Sequence, residues 1–181
     1  MDYSFPRYLL AKQTVDDRAL NRHVYDTLVS CMPPEPIEII EVGAGVGTMA
    51  ARLLSRGLLA KANYRVVDST QENIEFAQSW LPQWADENHF RWERIEGNLL
   101  RIFDGTSDLN ITFACADVFD FIYSNHPKAD LLIAHSFLDL LPMPDSLTKL
   151  FSLLKPGGLA WLTLNFDGVT TFEPVIDPAL D

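Results

Sequence analysis

An α/β fold with a doubly wound, mostly parallel sheet is predicted by three stretches of this 181-residue chain. In the first, Ile39-Ile40-Glu41-Val42 runs into Gly43-Ala44-Gly45-Val46-Gly47-Thr48, and Met49–Leu54 follows. β-Branched residues, alternate glycines and then a helical stretch read as a buried strand, a tight turn and a helix N-terminus. Glycine in such a turn tolerates positive φ and leaves no Cβ between backbone and ligand. Free N–H groups and the helix dipole there suit the polar end of a small molecule. In the second stretch, Asn63-Tyr64-Arg65-Val66-Val67 reads as a strand that ends on Asp68. In the third, Ala129–His135 is nearly all apolar, as strands buried on both faces of a parallel sheet are.

Composition narrows the class. Hydrophobic content of 48% and charged content of 22% fit a single globular domain with a real core. A net charge of −11 repels phosphate backbones, so nucleic acid is not expected as substrate. The sequence shows no apolar run of membrane-spanning length, so no membrane partner is expected. Cys31 and Cys115 read as buried thiols of a cytoplasmic protein, and the scattered His23, His89, His126 and His135 suggest no metal.

In chain order, residues 1–36 read as an N-terminal arm and a helix, and 37–181 as the nucleotide-type domain. Tyr3, Phe5 and Tyr8 belong to an arm packed on the domain, with a lid over the ligand as the competing reading. Asp16 or Asp17 is expected to cap a helix carrying Leu20, Val24, Leu28 and Cys31 on one face, which Pro33–Pro36 ends. The first strand spans Ile37–Val42, and its helix runs from Gly47 to Ser55 with Gly57 closing it. After Asp68, Ile74, Ala77, Gln78 and Leu81 predict a helix stopped near Pro82 or weakly extended through Trp84. The alternation of 89–95, the turn residues Glu96-Gly97-Asn98 and the apolar 99–103 predict a hairpin-like insertion over about 89–108. Asn110–Cys115 is the next strand. Leu140–Leu154 reads as a helix leading to a Lys155-Pro156-Gly157-Gly158 turn, and Leu159–Leu164 as the strand after it.

A dinucleotide-binding turn would place its third glycine at position 48, which is Thr. Glu41-x-Gly43-x-Gly45-x-Gly47 instead resembles motif I of the class I S-adenosylmethionine (SAM) dependent methyltransferases. The likeness extends over about residues 37–165 through Asp68, the Ala116-Asp117-Val118 segment, the strand Ala129–His135 and the Lys-Pro-Gly-Gly turn. It implies SAM as cofactor, with Gly43, Ala44, Gly45 and Gly47 around the methionyl part and Glu41 as an orienting carboxylate. An acidic residue at the Asp68 place accepts ribose hydroxyls, with Ser69 beside it; its plain alternative is a helix cap. The resemblance also gives the adenine amino group to Asp117 and the ring contact to Val118, while Asp117 could equally cap the next turn. The family has two further antiparallel strands after the strand Leu159–Leu164. The residues beyond it, with Pro174 and Pro178, show no such pattern. The fold is therefore expected to lack them, as a truncated chain or with a second copy or partner over the exposed edge.

SAM carries its methyl on a sulfonium, so catalysis is mainly alignment, with a base needed only for a protonated acceptor. His135 at the end of its strand faces the methyl group in this alignment and serves as base and cofactor contact, with Asp139 as runner-up; a hydrogen-bonded structural histidine is the bland alternative. Asn165 and Asp167 are weaker candidates for substrate contact. The expected function is methyl transfer to a small-molecule acceptor, with a non-catalytic SAM-binding or interaction module as the alternative.

Overall fold

The computed structural model describes residues 4–95, 98–124 and 126–164. The helices α1 (Phe5–Ala19) and α2 (Arg22–Cys31) precede β1 (Ile37–Val42), α3 (Thr48–Ser55), β2 (Lys61–Asp68) and α4 (Gln71–Glu87). The strands β3 (Arg91–Ile95), β4 (Leu99–Phe103) and β5 (Asp108–Cys115) follow, then α5 (Val118–Tyr123), β6 (Ala129–His135), α6 (Asp145–Phe151) and β7 (Leu154–Thr163). Seven strands form one sheet in the order β3-β4-β5-β2-β1-β6-β7. Pairing is parallel from β5 through β7, and β4 runs antiparallel to both β3 and β5.

Strand alternation explains the two core layers. Ile39, Val66 and Ile133 point to one face, where they pack with Met49, Leu53 and Leu54 of α3 and Ile74, Ala77 and Leu81 of α4. Their neighbours Ile40, Val67 and Leu132 point to the other face and meet Val118 and Phe121 of α5 and Leu150 of α6. Chain order runs outward from β1 in both directions, so the crossover between β1 and β6 is the topological switch point, whose carboxyl edge is where such sheets bind ligands.

Several expectations are corrected. The N-terminal arm is a regular helix, started by Pro6 in its first turn. Asp16 and Asp17 lie inside α1 rather than capping α2, whose cap is Asn21, with its Oδ1 accepting from Val24 N at 3.1 Å. Pro82 does not stop α4, which runs on to Glu87 because Trp80, Leu81, Pro82 and Ala85 are all buried against the sheet. The helix expected over Leu140–Leu154 covers only Asp145–Phe151. The Lys-Pro-Gly-Gly segment bulges from the β6–β7 ladder, since Ala129 pairs with Leu154 but Leu131 with Leu159. Cys31 and Cys115 are exposed, not buried. The predicted hairpin exists as β3–β4 and extends the sheet beyond β5. Tyr3, Asn165, Asp167 and the expected loss of strands after Leu164 lie outside the described residues.

Candidate active site

A cavity of about 390 Å³ opens at the carboxyl edge of the sheet, beside the switch point. β1 contributes Glu41, and the turn after it contributes Gly43, Ala44, Gly45 and Val46; β2 contributes Val67 and Asp68. Ser69, Thr70 and Asn73 follow from the start of α4, Ala116–Val118 from the end of β5, and His135–Phe137 from the end of β6. The fourth wall is α1. Phe5, Leu9, Lys12 and Asp16 recur on one helical face, and all of them line the cavity.

The glycine turn acts through shape. Gly43, Gly45 and Gly47 have φ of 63°, 55° and 76°, a region that strains any residue with a Cβ. A Cβ on Gly43 would lie 2.1 Å from Phe137, and one on Gly45 3.1 Å from Leu9. Gly47 does not line the cavity; its open side faces Leu81, Ala77 and Val66, so it permits close packing of turn, α4 and β2. The turn's donors are less free than the sequence suggests. Ala44 N donates to Val67 O at 3.0 Å, Gly45 N to Asp68 Oδ2 at 2.8 Å and Gly47 N to Ala44 O at 3.0 Å.

Asp68 is buried and rigidly held. Besides Gly45 N, its carboxylate accepts Thr70 N at 2.9 Å and Asn73 Nδ2 at 3.0 Å, both on Oδ1. Asn73 Oδ1 is itself buried without a hydrogen-bond partner. Asp117 takes the capping role, with Oδ1 accepting Phe119 N at 2.8 Å; its side chain is exposed to the cavity, while Val118 is buried behind it. Glu41 is fully buried and accepts a hydrogen bond from Tyr64 Oη at 2.8 Å. Loss of solvation pushes its carboxyl up to about 8, against the opposing pull of the Tyr64 hydroxyl and Arg52. At neutral pH it is mostly a protonated carboxyl rather than the carboxylate expected from the sequence.

His135 bonds through Nδ1 to Thr163 Oγ1, and its Nε2 lies 3.8 Å from Asp16 Oδ2. Burial first, and the positive charge of Arg52 second, push the imidazole down to about 4, against Asp16. Its Nε2 and the neighbouring Ser136 Oγ are buried without hydrogen bonds. Ser136 also has φ of 50°, a strained value for a residue with a Cβ, at the cavity wall. Asp139, on the Leu138–Leu140 turn, is exposed and does not line the cavity. Sequence reading missed Lys12, Asp16 and Asn73 as cavity residues. The helical spacing of Phe5, Leu9, Lys12 and Asp16 is the one signal that could have found two of them.

Sheet order, glycine turn and cavity together define the fold of the class I methyltransferases. No protein-family model matches the chain, and no curated protein matches it by sequence. Solved structures share its fold. A candidate SAM-dependent methyltransferase from Methanococcus maripaludis is 14% identical with a TM-score of 0.55, the match covering 90% of this chain and 65% of that one. A candidate methyltransferase of Haloferax volcanii, in complex with the Trm112 methyltransferase activator, is 16% identical with a TM-score of 0.54, over 92% of this chain and 62% of that one. The plantazolicin methyltransferase BamL, solved with a triazolic desmethylPZN analog and S-adenosylhomocysteine (SAH), is 18% identical with a TM-score of 0.53, over 80% and 44%. This chain thus spans less than two thirds of the length of each of these structures. At these identities the likeness is one of fold.

Proposed function

We propose that the chain binds SAM in this cavity and transfers its methyl group to a small-molecule acceptor. The observation that carries the reading is the Asp68 carboxylate, which ties the end of β2 to the glycine turn through Gly45 N at 2.8 Å. The polar atoms around it fit the cofactor. Asp68 Oδ2 keeps one open acceptor position, and Asn73 Oδ1 nearby is a buried acceptor with no partner. Together they match the two hydroxyls of a ribose, so Asp68 shares with Asn73 a task the sequence gives to Asp68 and Ser69. Asp117 Oδ2 has no hydrogen-bond partner among the described residues and suits the adenine amino group, flanked by Val118. The Gly43–Gly45 arc, with Ala44 and Glu41, takes the methionyl end.

Bound SAM supplies an electrophilic methyl on a sulfonium, whose departure needs no acid. The chain's contribution is alignment of an acceptor along that axis and removal of its proton. His135, rather than Asp139, is then the base. Its imidazole is neutral at working pH, and the Asp16 carboxylate, 3.8 Å from Nε2, stands where it stabilises the imidazolium formed. The reading sets the protein in a reducing cytoplasm, in keeping with its two free cysteines. It also keeps a partner or second copy at β7, which pairs among the described residues with β6 alone.

The test is transfer from isotopically labelled SAM to panels of hydroxylated, carboxylated and amino-bearing small molecules. Acceptor-dependent formation of SAH is expected, and His135→Gln lowers its rate by about a hundredfold or more. SAM binding without transfer to any acceptor would leave the non-catalytic module as the account.

A further inference from the structure

A second cavity, of about 270 Å³, opens on the face of the sheet that α5 and α6 cover. Arg65 stands two residues before Val67 on β2 and so points to the same face, with Thr112 opposite it on β5. Both line the cavity, and Phe121, Ser124, His126 and Pro127 form the opposite wall. α5 has only six residues, and its Val118 and Phe121 pack on the next row of the sheet, Val67 and Ala114.

The row of side chains below Arg65 is closed on itself. Asn63 Nδ2 donates to Glu38 Oε1 at 2.6 Å, and Asn110 Nδ2 to Asn63 Oδ1 at 3.1 Å. Arg101 beyond them is held by Asp108 and Glu93. Arg65, by contrast, has no hydrogen bond or ion pair among the described residues, and its nitrogens are not buried. In a chain of 25 acidic and 14 basic residues, this guanidinium faces the cavity without a carboxylate. His126 adds a second open position. Its ring stacks on Phe121, with centroids 4.5 Å apart and 7° between the planes. Its Nδ1 lies 2.9 Å from Pro127 O, a carbonyl that can only accept, so Nδ1 carries the hydrogen. Nε2 is left buried with no partner, which costs free energy until a polar group reaches it.

A planar guanidinium matches the paired oxygens of a carboxylate or a phosphate. The other walls narrow that choice. Ala114, Phe121 and Pro127 offer apolar surface, which the hydrocarbon body of an organic acid uses and a bare phosphate does not. One guanidinium balances one negative charge. We propose that this groove binds a small organic monocarboxylate, its carboxylate paired with Arg65 and its apolar body against Phe121 and Pro127. The groove shares no lining residue with the cavity at the sheet edge, and the proposal stands without the SAM reading.

The experiment titrates benzoate, isobutyrate, inorganic phosphate and the neutral benzamide into the full chain. Binding is followed by NMR at the Arg65 side-chain Nε–H and the His126 ring. Both carboxylates are expected to move both signals, with benzamide about tenfold or more weaker than benzoate. Arg65→Gln is expected to weaken benzoate by about tenfold or more, and Arg65→Lys, which keeps the charge without the planar fork, to recover part of that loss. No shift at Arg65 with either carboxylate at about 10 mM, where even a millimolar site is mostly filled, would overturn the proposal. Phosphate binding as tight as benzoate would also overturn it, marking a site for a bare oxyanion. So would equal benzoate binding by wild type and Arg65→Gln, both folded by circular dichroism, which would place the acid elsewhere.

Discussion

Glu41 and His135 face the same cavity, and burial shifts them in opposite directions. Glu41 has its proton affinity raised on folding, so the unfolded chain releases that proton first as pH rises. Its contribution to stability is therefore full below about 4.5 and falls as pH climbs towards 8, a loss of about 3 kcal/mol by pH 7. His135 is depressed on folding, so stability falls as pH drops from about 6.5 towards 4. The two slopes oppose each other between about 4.5 and 6.5, and above that window Glu41 acts alone. Glu41→Gln keeps an acceptor for the Tyr64 hydroxyl and removes the titration. It is expected to raise Tm at pH 8 by roughly 5 °C and to flatten the pH dependence above 6.5, as followed by circular dichroism. Parallel wild-type and variant curves across that range would contradict the assignment. Glu41, Asp68, Asp117 and His135 were legible in the sequence because each follows directly from a strand end. Asn73 was not, because its buried, unpartnered acceptor depends on how the start of α4 packs against Asp68.

At the scale of elements, a buried charge helps to tie α1 to the domain. Arg52 of α3 is 2% exposed and bonds through Nε to Asp17 of α1, with Nη1 3.3 Å from Met49 Sδ and Nη2 unpaired. A buried guanidinium left without its carboxylate is costly. Asp17→Asn is expected to destabilise the protein by about 2 kcal/mol, less than for a fully buried pair because Asp17 itself is partly exposed. Adding Arg52→Met should restore most of that loss, as measured by denaturant unfolding. A neutral Asp17→Asn would mean that α1 is held by other contacts. This attachment explains what the sequence concealed. The weak apolar periodicity of residues 5–19 looks like an arm, since its inward face mixes Pro6, Leu9 and Leu10 with Lys12, Asp16 and Asp17. Strands and their partner helices were legible because apolar alternation dictates them, whereas the continuation of α4 through Pro82 is a tertiary effect.

Across the whole molecule, the sheet places Asp117, Asp68, the glycine turn and His135 in line along one edge. The hairpin β3–β4 was readable from its alternation, but its place as an extension of the sheet beyond β5 was not, because pairing partners at that distance leave no local pattern. Arg101 fixes it there, reaching Glu93 on β3 at 2.9 Å and Asp108 on β5 at 2.7 Å. Function on this account depends on whether the edge cavity takes the adenosyl cofactor. Calorimetric titration of SAH into the wild-type chain and into Asp68→Ala tests that most directly. The account predicts micromolar binding in the wild type and a loss of about a hundredfold or more in the variant, with both proteins folded. No binding to folded wild-type chain, or equal binding by both, would contradict it.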